Sequence, residues 1–165
     1  MPGPVQVFVS GGSNIDAEDN IRNAVAGLQR EFGELLLSSV YRSPAVGFDG
    51  DDFLNLIIGF ETSRPAIECA TVMTQLENSA GRTESQHGFT ARPLDLDMVL
   101  YGALVDDSPV LRVPRDDVEK YAFVLAPLAE IAPEFIHPVT GKTMAEMWSS
   151  FERAAVEMTV EDGVL

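Results

Sequence analysis

One run constrains the fold of this chain more than any other. Phe53-Leu54-Asn55-Leu56-Ile57-Ile58-Gly59-Phe60 carries a single polar side chain, that of Asn55. So short and apolar a run reads as a strand buried on both faces, and burial on both faces requires a layered domain. Shorter signals on either side supply the layers. Val5 to Ser10 alternates as a first strand, and Gly11-Gly12-Ser13-Asn14 suits a turn into a helix. Ile21, Val25, Leu28 and Phe32 then recur at helical spacing until Gly33 stops them. Leu35 to Tyr41 reads as a second strand, and Arg42 to Asp52 as a loop that proline and three acids keep from pairing. After the central run, Pro65 opens a second helix lined by Cys69, Val72, Met73, Leu76 and Ala80, which ends at Gly81.

Residues 82–91 hold almost nothing apolar except Phe89, so a long loop is expected there. It leads into Arg92-Pro93-Leu94-Asp95-Leu96-Asp97-Met98-Val99-Leu100, a further strand. The order is βαββαβ, which predicts an α+β fold: a ferredoxin-like antiparallel sheet with helices packed on one face. A C-terminal helical extension follows. Leu104 to Val110 reads as one more short strand, and from Asp116 onward Pro127, Pro133 and Pro138 leave short helices, the best of them from about Thr143 to Ala155. Residues 1–165 form a single domain in this reading.

Composition narrows the function classes. Lysine and arginine total 11 against 26 acids, a formal charge of −15, so no cluster of cations is available to neutralise a nucleic-acid backbone or an anionic membrane. No nucleic-acid or membrane partner is expected, and an anionic substrate needs a local cationic pocket or its own metal. Cys69 is the only cysteine, which excludes an internal disulfide, and its place in an apolar helical stripe predicts a buried, inert thiol. Met1-Pro2-Gly3-Pro4 has no basic segment followed by an apolar core, and no apolar run approaches membrane-spanning length, so a cytoplasmic protein is expected.

The chemistry gathers on the last strand. Asp95 and Asp97 are two residues apart on an extended chain, so both carboxylates point to one face while Leu94, Leu96 and Met98 point to the other. Like charges so placed favour a cation between them, and Mg²⁺ is the usual hard ion. The pair suggests metal-assisted phosphoryl chemistry; read alone, it is more often the pattern of a solvated edge strand. Arg82 and Arg92 bracket the preceding loop, whose closure would bring two guanidinium groups toward the aspartates. Asn55 must be hydrogen-bonded, because a buried amide without partners costs about 1–3 kcal/mol.

Taken together, Gly12-Ser13-Asn14, Tyr41-Arg42-Ser43-Pro44, Phe53-Leu54-Asn55, Glu77, Gly81-Arg82, Arg92 to Asp97, Val113-Pro114 and Phe123 to Pro133 resemble the 6-hydroxymethyl-7,8-dihydropterin pyrophosphokinase family over roughly residues 5–148. The resemblance implies transfer of pyrophosphate from ATP to 6-hydroxymethyl-7,8-dihydropterin, with release of AMP, in folate biosynthesis. It implies that Asp95 and Asp97 hold two Mg²⁺ ions and that Arg82 and Arg92 clamp the phosphates. It places the pterin between Phe53 and Phe123, read by Asn55 and by the backbone of Ser43, Pro44 and Val46. Glu77, Phe89, Met98 and Arg115 join Arg82 and Arg92 on the nucleotide side, His137 is structural, and a monomer is expected.

The chain departs from the family pattern on the phosphate side. Arg115 and Tyr121 stand where a histidine and an arginine are usual, Glu84 replaces an arginine, and Phe89 replaces a tryptophan. A lost charge-assisted hydrogen bond weakens phosphate binding by about 1–3 kcal/mol, and the permanent fork of donors on Arg115 offers compensation. The alternatives are a pterin-binding relative without turnover, and an acidic metal-binding domain without nucleotide.

Overall fold

The computed structural model describes residues 3–45, 50–81, 93–152 and 158–165. In chain order the elements are β1 (Val5–Ser13), α1 (Ala17–Phe32), β2 (Leu36–Leu37), β3 (Tyr41–Ser43), β4 (Phe53–Thr62), α2 (Ala66–Ser79), β5 (Asp95–Tyr101), α3 (Asp117–Lys120), α4 (Ala122–Ile131), α5 (Met144–Ser149) and β6 (Thr159–Val160). The strands form one antiparallel sheet in the order β5-β1-β4-β3-β6, with β2 also paired to β4.

The apolar run of β4 is covered on both faces, as its composition requires. Leu54, Leu56 and Ile58 join Val7 and Val9 against Ile21 and Leu28 of α1 and Cys69, Val72 and Met73 of α2. Ile57 joins Phe8, Val99 and Leu100 against Val124, Leu125 and Leu128 of α4 and Met144 and Met147 of α5. Helices therefore flank the sheet on two sides, not on the single face read from the element order. Each side chain so enclosed contributes about 1.5–3 kcal/mol by leaving water, and a one-residue slip of register would turn Asn55 into the apolar layer against α1 and α2.

Several elements differ from the sequence reading. β1 continues through Gly11, Gly12 and Ser13, which pair with β4, instead of turning at Gly11. The second strand is broken into β2 and β3, because Ser38 turns its hydroxyl to accept the Ile57 N–H at 2.8 Å while its own N–H donates to the Ile57 carbonyl at 3.0 Å. Leu104 to Val110 is not a strand: Asp106 accepts the Ser108 N–H in a local turn, and only an isolated bridge joins Asp106 to Val113. Pro127 lies inside α4, where burial of Val124 to Leu128 outweighs one forgone N–H bond. α5 starts at the expected place, with Thr143 and Glu146 forming a reciprocal cap, but ends at Ser149. The hydroxyls of Ser149 and Ser150 both donate to the Glu146 carbonyl and compete with continuation of the helix.

The C-terminal segment, which carries no sequence signal, docks on the body of the fold. β6 pairs with β3, Arg42 meets Glu161 at 2.8 Å, and Val164 is 1% exposed with its carbonyl accepting Arg22 Nε at 2.6 Å. Cys69 is fully buried, and burial pushes its thiol up to about 11. His137 is also buried; its Nδ1 accepts the N–H groups of Val139 and Thr140, a structural role, and desolvation holds its pKa below the usual imidazole range.

Two outcomes follow from this packing. Val164→Ala should cost about 1–3 kcal/mol in urea unfolding, whereas Val160→Ala, at a position 53% exposed, should stay within about 0.5 kcal/mol. Cys69 should resist a thiol reagent at pH 8 in the native protein and react on unfolding, because its protonated form prevails in the fold.

Candidate functional site

The site is laid out by the register of four strands. Tyr41 of β3 faces Asn55 of β4, Asn55 faces Gly12 of β1, and Gly12 faces Asp95 of β5. One step along, Ile57, Ser10 and Asp97 form the next row. Residues opposite one another share a face, so Asn55, Asp95 and Asp97 all lie on the side of the sheet that carries α4. The two β1 positions beside the aspartates are Ser10 and Gly12, small residues that leave room above the carboxylates.

Asn55 is buried, and its Nδ2 donates to the Ser43 hydroxyl at 3.0 Å. Gly12 is required beside it. A Cβ at that position would come 2.8 Å from Asn55 Oδ1 and would push the amide off Ser43. The residues after Gly12 tie the rim together: the Ser13 hydroxyl donates to the Pro93 and Ile15 carbonyls, and Asn14 Nδ2 donates to the Asp51 carbonyl at 3.1 Å.

Asp95 and Asp97 are both half-buried on β5, the edge strand of the sheet. Two features dress that edge. The Leu96 N–H donates to Glu77 Oε2 at 2.8 Å, so a carboxylate from the last turn of α2 satisfies an outward amide. On the same edge the Arg115 N–H donates to the Val99 carbonyl at 3.0 Å, which brings the Arg115 side chain along the strand. Its Nη1 lies 3.9 Å from Asp97 Oδ1 and its Nε 3.7 Å from Asp117 Oδ2. These are ion pairs longer than hydrogen bonds, and the buried Nε has no hydrogen-bond partner among the described residues. The guanidinium thus stands beside the acidic pair with a donor to spare.

A cleft of about 460 Å³ opens between α2, β5 and residues 109–115. Glu77, Met98 and Arg115, expected from the resemblance on the nucleotide side, line it together with Asp97, expected to hold metal. Phe53 begins β4, and Phe123 sits on the first turn of α4, half-buried and stacked on Tyr121 with ring centroids 4.9 Å apart at 17°. Ser43 is buried at the end of β3, with Pro44 following it. Val46, Arg82, Glu84, Phe89 and Arg92 lie outside the described residues.

Among the described residues no three or more histidine, cysteine or acidic side chains gather as a metal cage. A carboxylate pair on one strand face, beside the small residues Ser10 and Gly12, still fits Mg²⁺, which keeps several waters and takes one or two carboxylates together with substrate phosphates. Gly12 and Tyr41 entered the sequence reading only within the family motifs, and Ser10 and Asp117 were given no role; Gly12 and Ser10 are recognisable as site residues only once the strands register. No helix among the described residues is long and apolar enough to cross a membrane.

Comparison with known proteins identifies the relatives of this chain. Residues 8–133 match the family described as 7,8-dihydro-6-hydroxymethylpterin-pyrophosphokinase (HPPK). The chain is similar to the 2-amino-4-hydroxy-6-hydroxymethyldihydropteridine pyrophosphokinase of Aquifex aeolicus, at 35% identity over 85% of this chain and 88% of the relative. It is 32% identical to the Synechocystis protein of the same name, over 88% of this chain and 75% of that one. Among solved structures it resembles the wild-type HPPK-DHPS of Plasmodium falciparum, with a TM-score of 0.67 over 88% of this chain at 11% identity, a likeness of fold. This chain spans under half of that longer chain, at 44%.

The amide network makes its own prediction. Ser43→Ala should destabilise the protein by about 1–3 kcal/mol in urea unfolding, by stranding the Asn55 amide. Gly12→Ala should shift the side-chain amide resonances of Asn55 in the NMR spectrum while leaving those of Asn20, on α1, unchanged.

Proposed function

This chain belongs to the 7,8-dihydro-6-hydroxymethylpterin-pyrophosphokinase family, and on that premise we propose how its own residues carry out pyrophosphoryl transfer in folate biosynthesis. The reaction joins ATP and 6-hydroxymethyl-7,8-dihydropterin. The hydroxymethyl oxygen attacks the β-phosphorus, the bond from that phosphorus to the α-phosphate oxygen breaks, AMP leaves, and the hydroxyl proton passes to solvent. Such transfer needs alignment and charge neutralisation more than covalent help.

The observation that carries the residue assignment is the row Asn55–Gly12–Asp95 across three strands, with Asp97 beside the cleft. In this reading a ligand over Gly12 spans from a buried amide to the acidic pair. Asn55, held by Ser43, reads the polar edge of the pterin, with the backbone of Ser43, Pro44 and Val46 beside it. Phe53 and Phe123 stack on the ring faces. Met98 and Glu77 border the nucleotide in the cleft, and Phe89 is assigned to the same ligand. Asp95 and Asp97 would hold Mg²⁺, two ions in this proposal, which when bound neutralises phosphate charge. Arg82 and Arg92 clamp the phosphates and help exclude water. The scaffold for this is a split βαβ, ferredoxin-like arrangement with a C-terminal extension, acting as a monomer in the cytoplasm.

Arg115 takes over a phosphate contact. Its guanidinium is already beside Asp97, restrained by Asp117, with an unpartnered buried Nε, so a phosphate arriving between Asp97 and the cleft meets a positioned donor. Nothing specific favours a relative without turnover.

The test is AMP release from MgATP with and without 6-hydroxymethyl-7,8-dihydropterin. AMP should appear only with the pterin, and Asp97→Asn should abolish it; AMP formation that ignores either would overturn the assignment. Arg115→Ala should raise the KM for ATP by about tenfold or more, as for loss of a charge-assisted hydrogen bond, and an unchanged KM and kcat would remove Arg115 from the phosphate side.

A further inference from the structure

Glu130 is exposed, yet its carboxylate is held by three donors. The Ser39 N–H reaches both oxygens at 3.1 Å, the Ser39 hydroxyl donates to Oε2 at 2.7 Å, and the Tyr41 hydroxyl donates to Oε1 at 2.8 Å. Free surface carboxylates gain little from fixed geometry, because ordering the chain offsets the contacts. This one fills a gap in the sheet. Residues 38–40 separate β2 from β3, and Glu130 supplies the Ser39 N–H with an acceptor at that break.

Its place on α4 gives the contact a consequence. Glu130 follows Phe123 by seven residues, two helical turns, so the two side chains leave α4 on nearly the same side, about 10 Å apart along the axis. At the sheet end, Tyr41 shares its row with Asn55, and two residues on is Ser43, which holds the Asn55 amide. One carboxylate therefore ties the helix that carries one ring wall to the strand that carries the polar edge. Burial and the neighbouring Glu130 push the Tyr41 phenol up to about 12, so it stays a donor through the neutral range.

We propose that Glu130, acting through Ser39 and Tyr41, is a positioning residue that sets the width of the pterin slot by holding α4, which carries Phe123, to β3, whose Ser43 pairs with Phe53 of β4. The proposal rests on the pterin assignment made above. A flat bicycle between two walls is sensitive to their spacing, since a gap of about 0.5–1 Å forfeits a quarter to a half of the dispersion attraction. The nucleotide cleft lies on the opposite edge of the sheet, at β5, and should not sense the change.

The experiment compares Glu130→Ala, Glu130→Gln, Tyr41→Phe and Asn55→Ala in the full chain, with steady-state constants for both substrates, fluorescence titration of the pterin, and thermal unfolding. Glu130→Ala and Tyr41→Phe should weaken pterin affinity about five- to tenfold and leave the KM for MgATP within about twofold, while Glu130→Gln, which keeps an acceptor oxygen, recovers most of the loss. The double variant should lose less than the sum of the two, because both break the same link. Parallel losses for both substrates, or none for the pterin, would overturn the clamp and leave Glu130 a stability element. Loss of pterin affinity in Asn55→Ala alone would keep the pocket and discard the clamp. If Asn55→Ala also leaves pterin affinity unchanged, the pocket assignment fails and the clamp falls with it.

Discussion

The register of β1 against its two neighbours is the constraint on which the site depends. β1 is paired on one side with β4 and on the other with β5, and Gly12 faces Asn55 and Asp95 at once. A shift of one residue would turn Asn55 toward α1 and α2 and the aspartates into an apolar layer. What prevents it is burial: Val7 and Val9 pack on one side of β1 and Phe8 on the other, and β4 alternates in the same sense. The polar row is therefore held by the apolar positions between its members.

Burial also explains how a strongly acidic chain keeps a cation in place beside its acidic pair. The acidic surplus is spread over exposed positions, where charge is solvated, whereas the cation beside Asp97 is one third or less exposed and held by the backbone of β5. Among the described residues, Arg115 beside Asp97 sets the local field at the cleft more than net charge does. Edge strand β5 suits that task, since its outward Leu96 N–H donates to Glu77 and its Val99 carbonyl accepts the Arg115 N–H without disturbing the ladder.

Elements were legible in the sequence where a short-range pattern and the packing agreed. The run of β4, the stripe of α1 with its stop at Gly33, the stripe of α2 around Cys69 and the paired aspartates all have local signatures. Readings went astray where a side chain far away in sequence supplied the missing bond. Ser38 splits a strand by bonding Ile57, Pro127 survives in a helix because the sheet buries its flanks, and β6 exists because β3 offers a free edge. The proline and glycine rules describe what the backbone prefers when nothing else touches it, and at these positions something does.

By itself the sequence determined the near-continuous apolar run that commits β4 to two covered faces, the placement of both aspartates on one face of a strand, and the family signature that names the reaction. Those properties are local, because side-chain period and charge spacing are fixed along an extended chain. Only the tertiary structure decided that Gly12 stands between Asn55 and Asp95, that Arg115 meets Asp97 and Asp117, and that Glu130 joins α4 to the break before β3. Those contacts join segments up to about ninety residues apart, and no pattern within one segment encodes the partner that another brings to it.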